Sequence, residues 1–497
     1  MKDYRRGDRI DGRWEVWRIL QGGLGRVYLV YDPVECQPLA IKTIRADVAG
    51  PETLERFRQE AHVWIQMGSH PNLVRAARFL PHTDDELFLF LEYVGGGDLH
   101  RFIGSPWLAD RSRLLKLSLQ FCDGMVHARS QGLHTHRDIK PHNCMLSLDG
   151  DLKITDFGLA KVLDEAGRTP LRQNPNFRQW LQSGPQQAPP QDPSLTGSGQ
   201  MMGTLTYMPP EQICDAAIAD VRSDVYSFGV MLYQMVSGQL PFQAQEACTL
   251  AYQHLTQVPP PLADAAFNAI VQSCMAKSPE QRPADFLEVR GLLAREFERA
   301  TGEPAPQAPP PADFGALEMC ERAGALLALG YREQALQLLD VALLQRPDLR
   351  SLWVSKSHAL TQLGRPAEAL PCLQHLLQER EEPGLWIEAG LAQRVLKQEA
   401  QAEIAFRRAL ELDGRHAEAW YHLGSLQAGQ GKLGEAIDNF RFALRLAPDD
   451  PDMLFGLGLA CLHADRTREG LESLLRAAAL GHSRAAELVE QLSDNPG

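Results

Sequence analysis

The chain has 497 residues, too many for one ordinary hydrophobic core, and this length predicts roughly two to four domains. Hydrophobic residues make up 44% of it and charged residues 23%, proportions that exclude a chain disordered throughout and a protein built of membrane-spanning helices. The formal net charge of -13 argues against a nucleic-acid-binding surface, because such surfaces depend on clustered Lys and Arg. We therefore expect no nucleic-acid partner and no membrane segment.

The opening segment, residues 1–14, is polar and lacks the apolar stretch of a secretory signal, so we expect a cytoplasmic protein. The nine cysteines are widely scattered, and no two of them form a CxxC pair. This distribution predicts reduced, mostly buried thiols and no structural zinc site.

The first block of the chain mixes strand-like and helix-like patterns. RWEVWRIL, RVYLVYD and PLAIKTI alternate β-branched or aromatic residues with polar ones, which predicts hairpin strands. A helical pattern follows over 52–67, and beyond the three glycines at 95–97 long amphipathic stretches cover 112–130 and 224–237. These patterns predict an α+β unit with two lobes.

Two segments of low complexity interrupt the chain. Residues 301–313 contain five prolines, which predicts an extended, semi-rigid spacer, and we expect a linker over 299–313 between two domains. Residues 183–200, inside the first block, are rich in Gln and Pro and read as an insertion.

A repeat of 33 or 34 residues follows the linker. Large apolar residues stand sixteen positions before and four positions after a small residue that marks each unit: Ala335, Ala369, Ala402, Ala436 and Gly470. This period indicates an array of helical hairpins. The unit, clearest over 420–450, resembles the tetratricopeptide repeat, with about five units over 314–484 and a tail over 485–497. The resemblance implies a solenoid that binds a protein or peptide, while a structural or dimerising role stays open.

The segment HRDIKPHNCML over 136–146, with DFG at 156–158, carries the chemistry. It spaces Asp138, Lys140, Asn143 and Asp156 as phosphoryl transfer from Mg-ATP requires. In that reaction the protein supplies mainly metal ligands, positioning and charge neutralisation. The spacing therefore predicts a phosphotransfer site.

Further motifs make residues 10–298 similar to the bacterial Hanks-type serine/threonine protein kinases. They are GGLGRV over 22–27, LAIK over 39–42, LEYV over 91–94, MPPE over 208–211 and SDVYSFG over 223–229. The family usually has Gly where this chain has Leu20, so the glycine-rich loop keeps two of its three glycines. The resemblance implies a two-lobed α+β protein kinase domain followed by an all-α tetratricopeptide repeat solenoid.

The resemblance also implies a nucleotide site that binds ATP. The backbone of the glycine-rich loop would cover the phosphates of ATP, and a lysine would hold them. Two apolar side chains would sandwich the adenine ring, and the backbone of the hinge between the two lobes would contact the base. The residues expected there are Gly22, Gly25, Val27, Ala40, Lys42, Glu92 and Val94, with Glu60 as the ion-pair partner of Lys42.

By the same resemblance, Asp138 accepts or orients the substrate hydroxyl proton and Lys140 neutralises charge on the transferred phosphoryl group. Asn143 and Asp156 hold Mg²⁺, an ion that prefers hard oxygen ligands. Lys140 also implies serine/threonine specificity, with Thr204 lying against Asp138 and Lys140.

The remaining implied residues hold or regulate the domain. Glu211 pairs with a buried Arg282, and Asp224 anchors the catalytic loop from below. Residues 156–211 form an activation segment that the insertion makes longer than usual. Within it, Thr196 and Ser198 are candidate phosphosites, seven and five residues before Gly203. That they are plain polar residues of a loop stays equally open.

The sequence thus predicts a serine/threonine protein kinase whose repeats recruit a substrate or regulator. Two alternatives stay open: a pseudokinase scaffold, favoured only by Leu20, and an adaptor that acts through its repeat domain, with an oligomer possible.

Overall fold

The computed structural model describes residues 4–21, 25–45, 51–83, 86–157, 205–214, 218–310 and 315–494. The chain divides into two compact units, one of residues 1–314 with 324–330 and one of residues 315–323 with 331–497. The expected α+β class of the first block and the all-α class of the second are both confirmed.

A six-stranded antiparallel sheet in the order β1-β2-β3-β4-β6-β5 forms the first part of the first unit. Its strands are β1 (Arg9–Ile10), β2 (Trp14–Gln21), β3 (Gly25–Asp32), β4 (Gln37–Arg45), β5 (Ala76–Thr83) and β6 (Glu86–Glu92). Because side chains alternate along a strand, one face of the sheet carries a buried hydrophobic cluster, and the side chains in between point to the opposite face. The cluster includes Trp14, Tyr28, Val30, Ile41 and Phe90.

Helix α1 (Pro51–Met67) packs against β5. Phe57 and Trp64 on this helix are each 1% exposed, and the ring of Phe57 lies 6.3 Å from that of Phe79 on β5. The seven-residue spacing of Phe57 and Trp64 puts both on one face of a helix, which explains why this face is buried.

The second part of the first unit is mainly helical, as expected. Its helices are α2 (Arg111–Ser130), α3 (Pro210–Cys214), α4 (Val221–Ser237), α5 (Ala247–Thr256), α6 (Ala265–Cys274) and α7 (Phe286–Thr301), and a short hairpin joins β7 (Cys144–Leu146) to β8 (Leu152–Ile154). Phe121, Phe228 and Phe286, from three different helices, have ring centroids between 5.0 and 5.9 Å apart. This aromatic contact holds α2, α4 and α7 together.

Residues 315–494 form a run of helices. They are α8 (Ala316–Leu329), α9 (Arg332–Gln345), α10 (Arg350–Gln362), α11 (Pro366–Glu379), α12 (Pro383–Val395), α13 (Glu399–Leu412), α14 (Ala417–Gly429), α15 (Leu433–Leu446), α16 (Pro451–His463), α17 (Thr467–Ala479) and α18 (Ser483–Asp494). The small residues that mark the repeat are buried where helices pair. A side chain at Gly390 would bring its Cβ within 2.6 Å of the Phe406 ring, which shows how closely α12 and α13 approach.

The end of the repeat unit differs from the tail expected over 485–497. Residues up to Asp494 belong to α18, and Ala485 is fully buried against Leu454 and Leu474. The last hairpin of a solenoid leaves an apolar face that a further helix must cover, and α18 covers it. The sequence of this helix does not continue the repeat pattern, because a covering helix need not follow it.

All nine cysteines are free thiols, six of them buried, as the sequence predicts. Among the described residues, no helix is both long and apolar enough to cross a membrane.

The buried Asp32 carboxylate joins the start of β2 to the end of β3. It accepts hydrogen bonds from Arg13 Nη2 at 2.6 Å, from Trp14 Nε1 at 2.9 Å and from the Val34 N–H at 2.9 Å. Burial acts to raise the pKa of Asp32, but these hydrogen bonds outweigh it and lower the pKa from 3.8 to about 2.

We predict that this carboxylate contributes about 2 kcal/mol to the free energy of unfolding above pH 5. Because its folded pKa lies below its unfolded value, the contribution is lost as the pH falls from about 4 towards 2. Urea unfolding of the parent chain and of Asp32→Asn at pH 5 and pH 3 should show a stability gap that narrows by about 1 kcal/mol. A gap independent of pH would contradict the assignment.

Candidate active site

The register of the sheet places three expected nucleotide residues on one face. Val27 pairs with Lys42, and Leu29 pairs with Ala40. Since paired and alternate residues share a face, Val27, Ala40 and Lys42 lie together, opposite the buried cluster that contains Tyr28 and Ile41. A slip of one residue would move all three to the other face, so the packed cluster fixes them.

The chain leaves the sheet at the end of β6, where the hinge is expected. The N–H of Glu92 donates to the carbonyl of Arg75 at 2.9 Å, so a nucleotide would contact Glu92 through its carbonyl. The Glu92 side chain forms an ion pair with Lys153 at 2.9 Å. Val94, two residues on, is buried. No motif in the sequence marks Lys153 as this partner.

Lys42 meets Asp156 in this structure. Its Nζ donates to Asp156 Oδ1 at 2.6 Å. This contact joins β4 to the segment directly after β8. Glu60 belongs to α1, but its side chain lies outside the described side chains, so its pairing with Lys42 stays a prediction. The Asp156 side chain is 37% exposed, so a ligand can reach its carboxylate.

Several expected residues lie outside the described residues: Gly22, Gly158, Thr196, Ser198, Gly203 and Thr204. Gly25 is described and begins β3.

Two side chains converge on the carboxylate of Asp138. Lys140 Nζ lies 2.7 Å from Asp138 Oδ2, and Asn143 Nδ2 donates to the carbonyl and to Oδ2 of Asp138, both at 2.8 Å. Asp138 and Asn143 are 7% and 5% exposed, so these contacts are protected from bulk water. The carboxylate is thereby held with the Lys140 ammonium beside it, as a group that takes up or orients a proton requires.

The β7–β8 hairpin brings the two expected metal ligands together. Cys144 pairs with Ile154, and the N–H of Thr155 donates to the carbonyl of Asn143 at 3.0 Å, so Asp156 follows directly beside Asn143. Because Nδ2 of Asn143 is bound to Asp138, the opposite end of the amide, Oδ1, is the atom available to a cation. An amide oxygen and a carboxylate are ligands suited to Mg²⁺.

The described residues contain no group of three or more His, Cys, Asp or Glu side chains able to hold a metal ion. An amide oxygen and a carboxylate are nevertheless ligands that suit Mg²⁺, because this ion takes one or two protein oxygens and completes its coordination with water and substrate phosphates. The side chains present therefore fit the expected ion.

Asp224, at the start of α4, holds the loop that carries these groups. Its two carboxylate oxygens accept from the backbone N–H of His136 at 2.7 Å and of Arg137 at 2.9 Å. Arg137 has φ 64° and Asp156 has φ 61°, both in the left-handed region that non-glycine residues rarely adopt. The contact thus stabilises a backbone conformation that the residues themselves disfavour.

His136 is a further residue of this loop with a structural role. It is fully buried, its Nε2 lies 3.2 Å from the carbonyl of Thr155, and its ring lies 5.0 Å from that of Phe157. Burial lowers the pKa of His136, so the imidazole is neutral at pH 7. It links the loop to the residues around Asp156.

Glu211 and Arg282 form a bidentate ion pair, at 2.8 Å and 2.9 Å. The guanidinium also donates to the carbonyls of Ala276, Arg222 and Lys277, so each of its three nitrogens has a hydrogen-bond acceptor. Burial alone would raise the pKa of Glu211, but Arg282 outweighs burial and lowers it. The pair ties α3 to the segment before α7.

We predict that Asp224→Asn loosens the loop over 136–143. An Asn side chain keeps one acceptor and places an N–H₂ against a backbone donor, so amide hydrogen exchange at His136 and Arg137 should accelerate by about tenfold. Asp285→Asn is the matched control, because Asp285 also accepts from two backbone N–H groups, those of Leu287 and Glu288, at the start of α7. Unchanged exchange in Asp224→Asn, or equal acceleration in the control, would contradict this role.

Comparison with known proteins agrees with this geometry. Residues 15–297 match the family model of the protein kinase domain, and residues 387–451 and 427–487 match that of the tetratricopeptide repeat.

Similar proteins include serine/threonine-protein kinase pkn3 of Myxococcus xanthus, 31% identical over 301 residues that cover 58% of this chain and 50% of that protein. PrkC of Bacillus subtilis is 29% identical, covering 56% of this chain and 39% of its own length, and PknB of Mycobacterium tuberculosis is 30% identical, covering 60% and 45%. The chain thus spans half or less of the length of these curated relatives. On the match over 15–297, the chain belongs to the protein kinase family, with tetratricopeptide repeats following its kinase domain.

Proposed function

We propose that this protein is a serine/threonine protein kinase that transfers the γ-phosphate of ATP to protein hydroxyl groups. The observation that carries this proposal is the convergence of Lys140 and Asn143 on Asp138, with Asp156 beside them and bound to Lys42. The relatives named above as serine/threonine kinases, and Lys140 two residues after Asp138, support the hydroxyl-directed specificity.

In the proposed reaction, Asp138 accepts or orients the proton of the attacking hydroxyl, and Lys140 stabilises the charge on the phosphoryl group in transit. Mg²⁺ held by Asn143 and Asp156 would neutralise the phosphate oxygens of ATP. Lys42 would exchange its contact with Asp156 for the α- and β-phosphates, held there by Glu60.

The nucleotide would lie against the face of the sheet that carries Val27 and Ala40, with its adenine at the backbone of Glu92 and Val94. Backbone at Gly22 and Gly25 would cover the phosphates. We also propose Glu211, Asp224 and Arg282 as structural residues of this domain, on the contacts described above, and Thr196 and Ser198 as candidate sites of regulatory phosphorylation.

The repeats are proposed to recruit a protein substrate or regulator in the cytoplasm. The proline-rich linker, expected over 299–313, would keep a bound partner close to the kinase domain. Tethering through a short linker raises the effective concentration of the partner to about millimolar, so the repeats can supply selectivity that the active site lacks.

We predict that the purified chain incorporates labelled phosphate from Mg-ATP and that Asp138→Asn loses at least about 100-fold of this rate. The variant should still bind a fluorescent ATP analogue, because Asp138 is expected to act on the hydroxyl and not on the nucleotide. Asp285→Asn, which removes a carboxylate outside the site, should label like the parent. A parent chain that binds nucleotide without labelling would favour the pseudokinase scaffold.

We predict that phosphorylation of a recruited partner depends on the repeats. A chain lacking residues 316–497 should keep autophosphorylation but lose phosphorylation of a partner captured by the repeats, whereas full-length Asp138→Asn should still capture that partner. Capture is measured by pull-down and phosphorylation by label transfer. Undiminished phosphorylation of the partner by the shortened chain would remove the recruiting role.

A further inference from the structure

Leu20 stands where the family usually has the first glycine of the loop, and its side chain has a defined direction. It belongs to β2 and pairs directly with Val27 on β3, while Ile19 pairs with Tyr28. Residues that pair across two strands share a face of the sheet, so Leu20 shares the face of Val27. Ile19 packs against the buried cluster on the opposite face, as the alternation of side chains along β2 requires.

The face that carries Leu20 also carries residues proposed to bind the nucleotide. Val27 pairs with Lys42 on β4, so Leu20, Val27 and Lys42 form one row across three neighbouring strands. Strands in a sheet lie about 4.8 Å apart, which puts Leu20 in contact range of Val27 and about 10 Å from Lys42. Within these three strands, the row therefore runs from an apolar side chain at Leu20 to a cation at Lys42.

The Leu20 side chain is open to solvent, with an exposed fraction of 41%. A single exposed leucine is ordinary on a protein surface. What distinguishes Leu20 is its row, because a molecule that follows this row meets apolar surface at Leu20 and Val27 and positive charge at Lys42. A nucleotide has these two parts in this order, an uncharged nucleoside and then its phosphates.

The chemistry of a leucine decides which part of the nucleotide it would contact. Against phosphate oxygens, Leu20 would remove water from charged groups and offer no hydrogen bond in return. Against the carbon atoms of the ribose and the adenine ring, it would remove apolar surface from water, which is favourable. The position of Leu20 beside Val27, away from Lys42, agrees with a contact to the nucleoside.

We propose that Leu20 is a nucleoside-binding residue, which covers the uncharged part of ATP and extends the apolar surface of Val27. This inference rests on the proposed kinase function. A glycine at this position would let the backbone itself approach the nucleotide closely. In this chain a side-chain contact takes the place of that approach, so the residue that favours a pseudokinase scaffold becomes part of the binding site.

The test compares Mg-ATP with adenosine, which has the same nucleoside and no phosphate. Dissociation constants are measured by ligand-detected NMR titration of the full chain, so they do not depend on catalytic activity. Leu20→Ala should weaken the binding of both ligands by about fivefold, because it removes the same apolar contact from each. Lys42→Met should weaken the binding of Mg-ATP and leave that of adenosine unchanged.

Two further variants serve as controls. Leu20→Met keeps an apolar side chain of similar volume and should bind both ligands within about twofold of the parent. Val34→Ala shortens an apolar side chain that is 72% exposed between β3 and β4, at the opposite end of these strands from Leu20. This variant should bind both ligands like the parent.

Three results would overturn the contact and leave the kinase function standing in a parent chain that transfers label. They are a Leu20→Ala chain that binds both ligands like the parent, a Leu20→Ala chain weakened towards Mg-ATP alone, and a parent that binds Mg-ATP but no adenosine. A parent that neither binds Mg-ATP nor incorporates label would overturn both the contact and the kinase function.

Discussion

The hydrogen bonds from His136 and Arg137 to Asp224 are the contact on which the site depends. They hold Arg137 in a left-handed conformation that costs a non-glycine residue on the order of 1 kcal/mol. Two charge-assisted hydrogen bonds to a buried carboxylate can offset such a cost. Because Asp138 follows directly, the position of its carboxylate is set by a helix that begins more than eighty residues later in the chain.

The candidate site contains two ion pairs, Lys42 with Asp156 and Lys140 with Asp138. In each pair the lysine is proposed to contact phosphate. Asp156 is proposed to contact a metal ion, and Asp138 the hydroxyl of the substrate. Within each pair the charges neutralise one another, which avoids the penalty of an unpaired, partly buried charge. Mg-ATP brings both a cation and anions, so it would replace these pairs with contacts of the same kind.

Much of the fold follows from local pattern. The strands around Val27 and Lys42 and the helices of the repeats have the periodicity of their elements, and the spacing of Asp138, Asn143 and Asp156 indicates phosphotransfer. What sequence could not show depends on long-range contacts. The Lys42 to Asp156 contact joins residues 114 positions apart, and the Lys153 to Glu92 contact joins residues 61 positions apart. Helix α18 cannot be found from the repeat pattern, because it covers the last repeat without following that pattern.

The central claim is that Asn143 and Asp156 together hold the metal of a bound nucleotide. A crystal structure of the full chain with Mg²⁺ and a non-hydrolysable ATP analogue tests it most directly. We expect Asn143 Oδ1 and an Asp156 oxygen about 2.1 Å from the ion, with Lys42 Nζ moved from Asp156 to the phosphates. A nucleotide bound with its metal held by other groups, or a cleft that takes no nucleotide at millimolar concentration, would contradict the account.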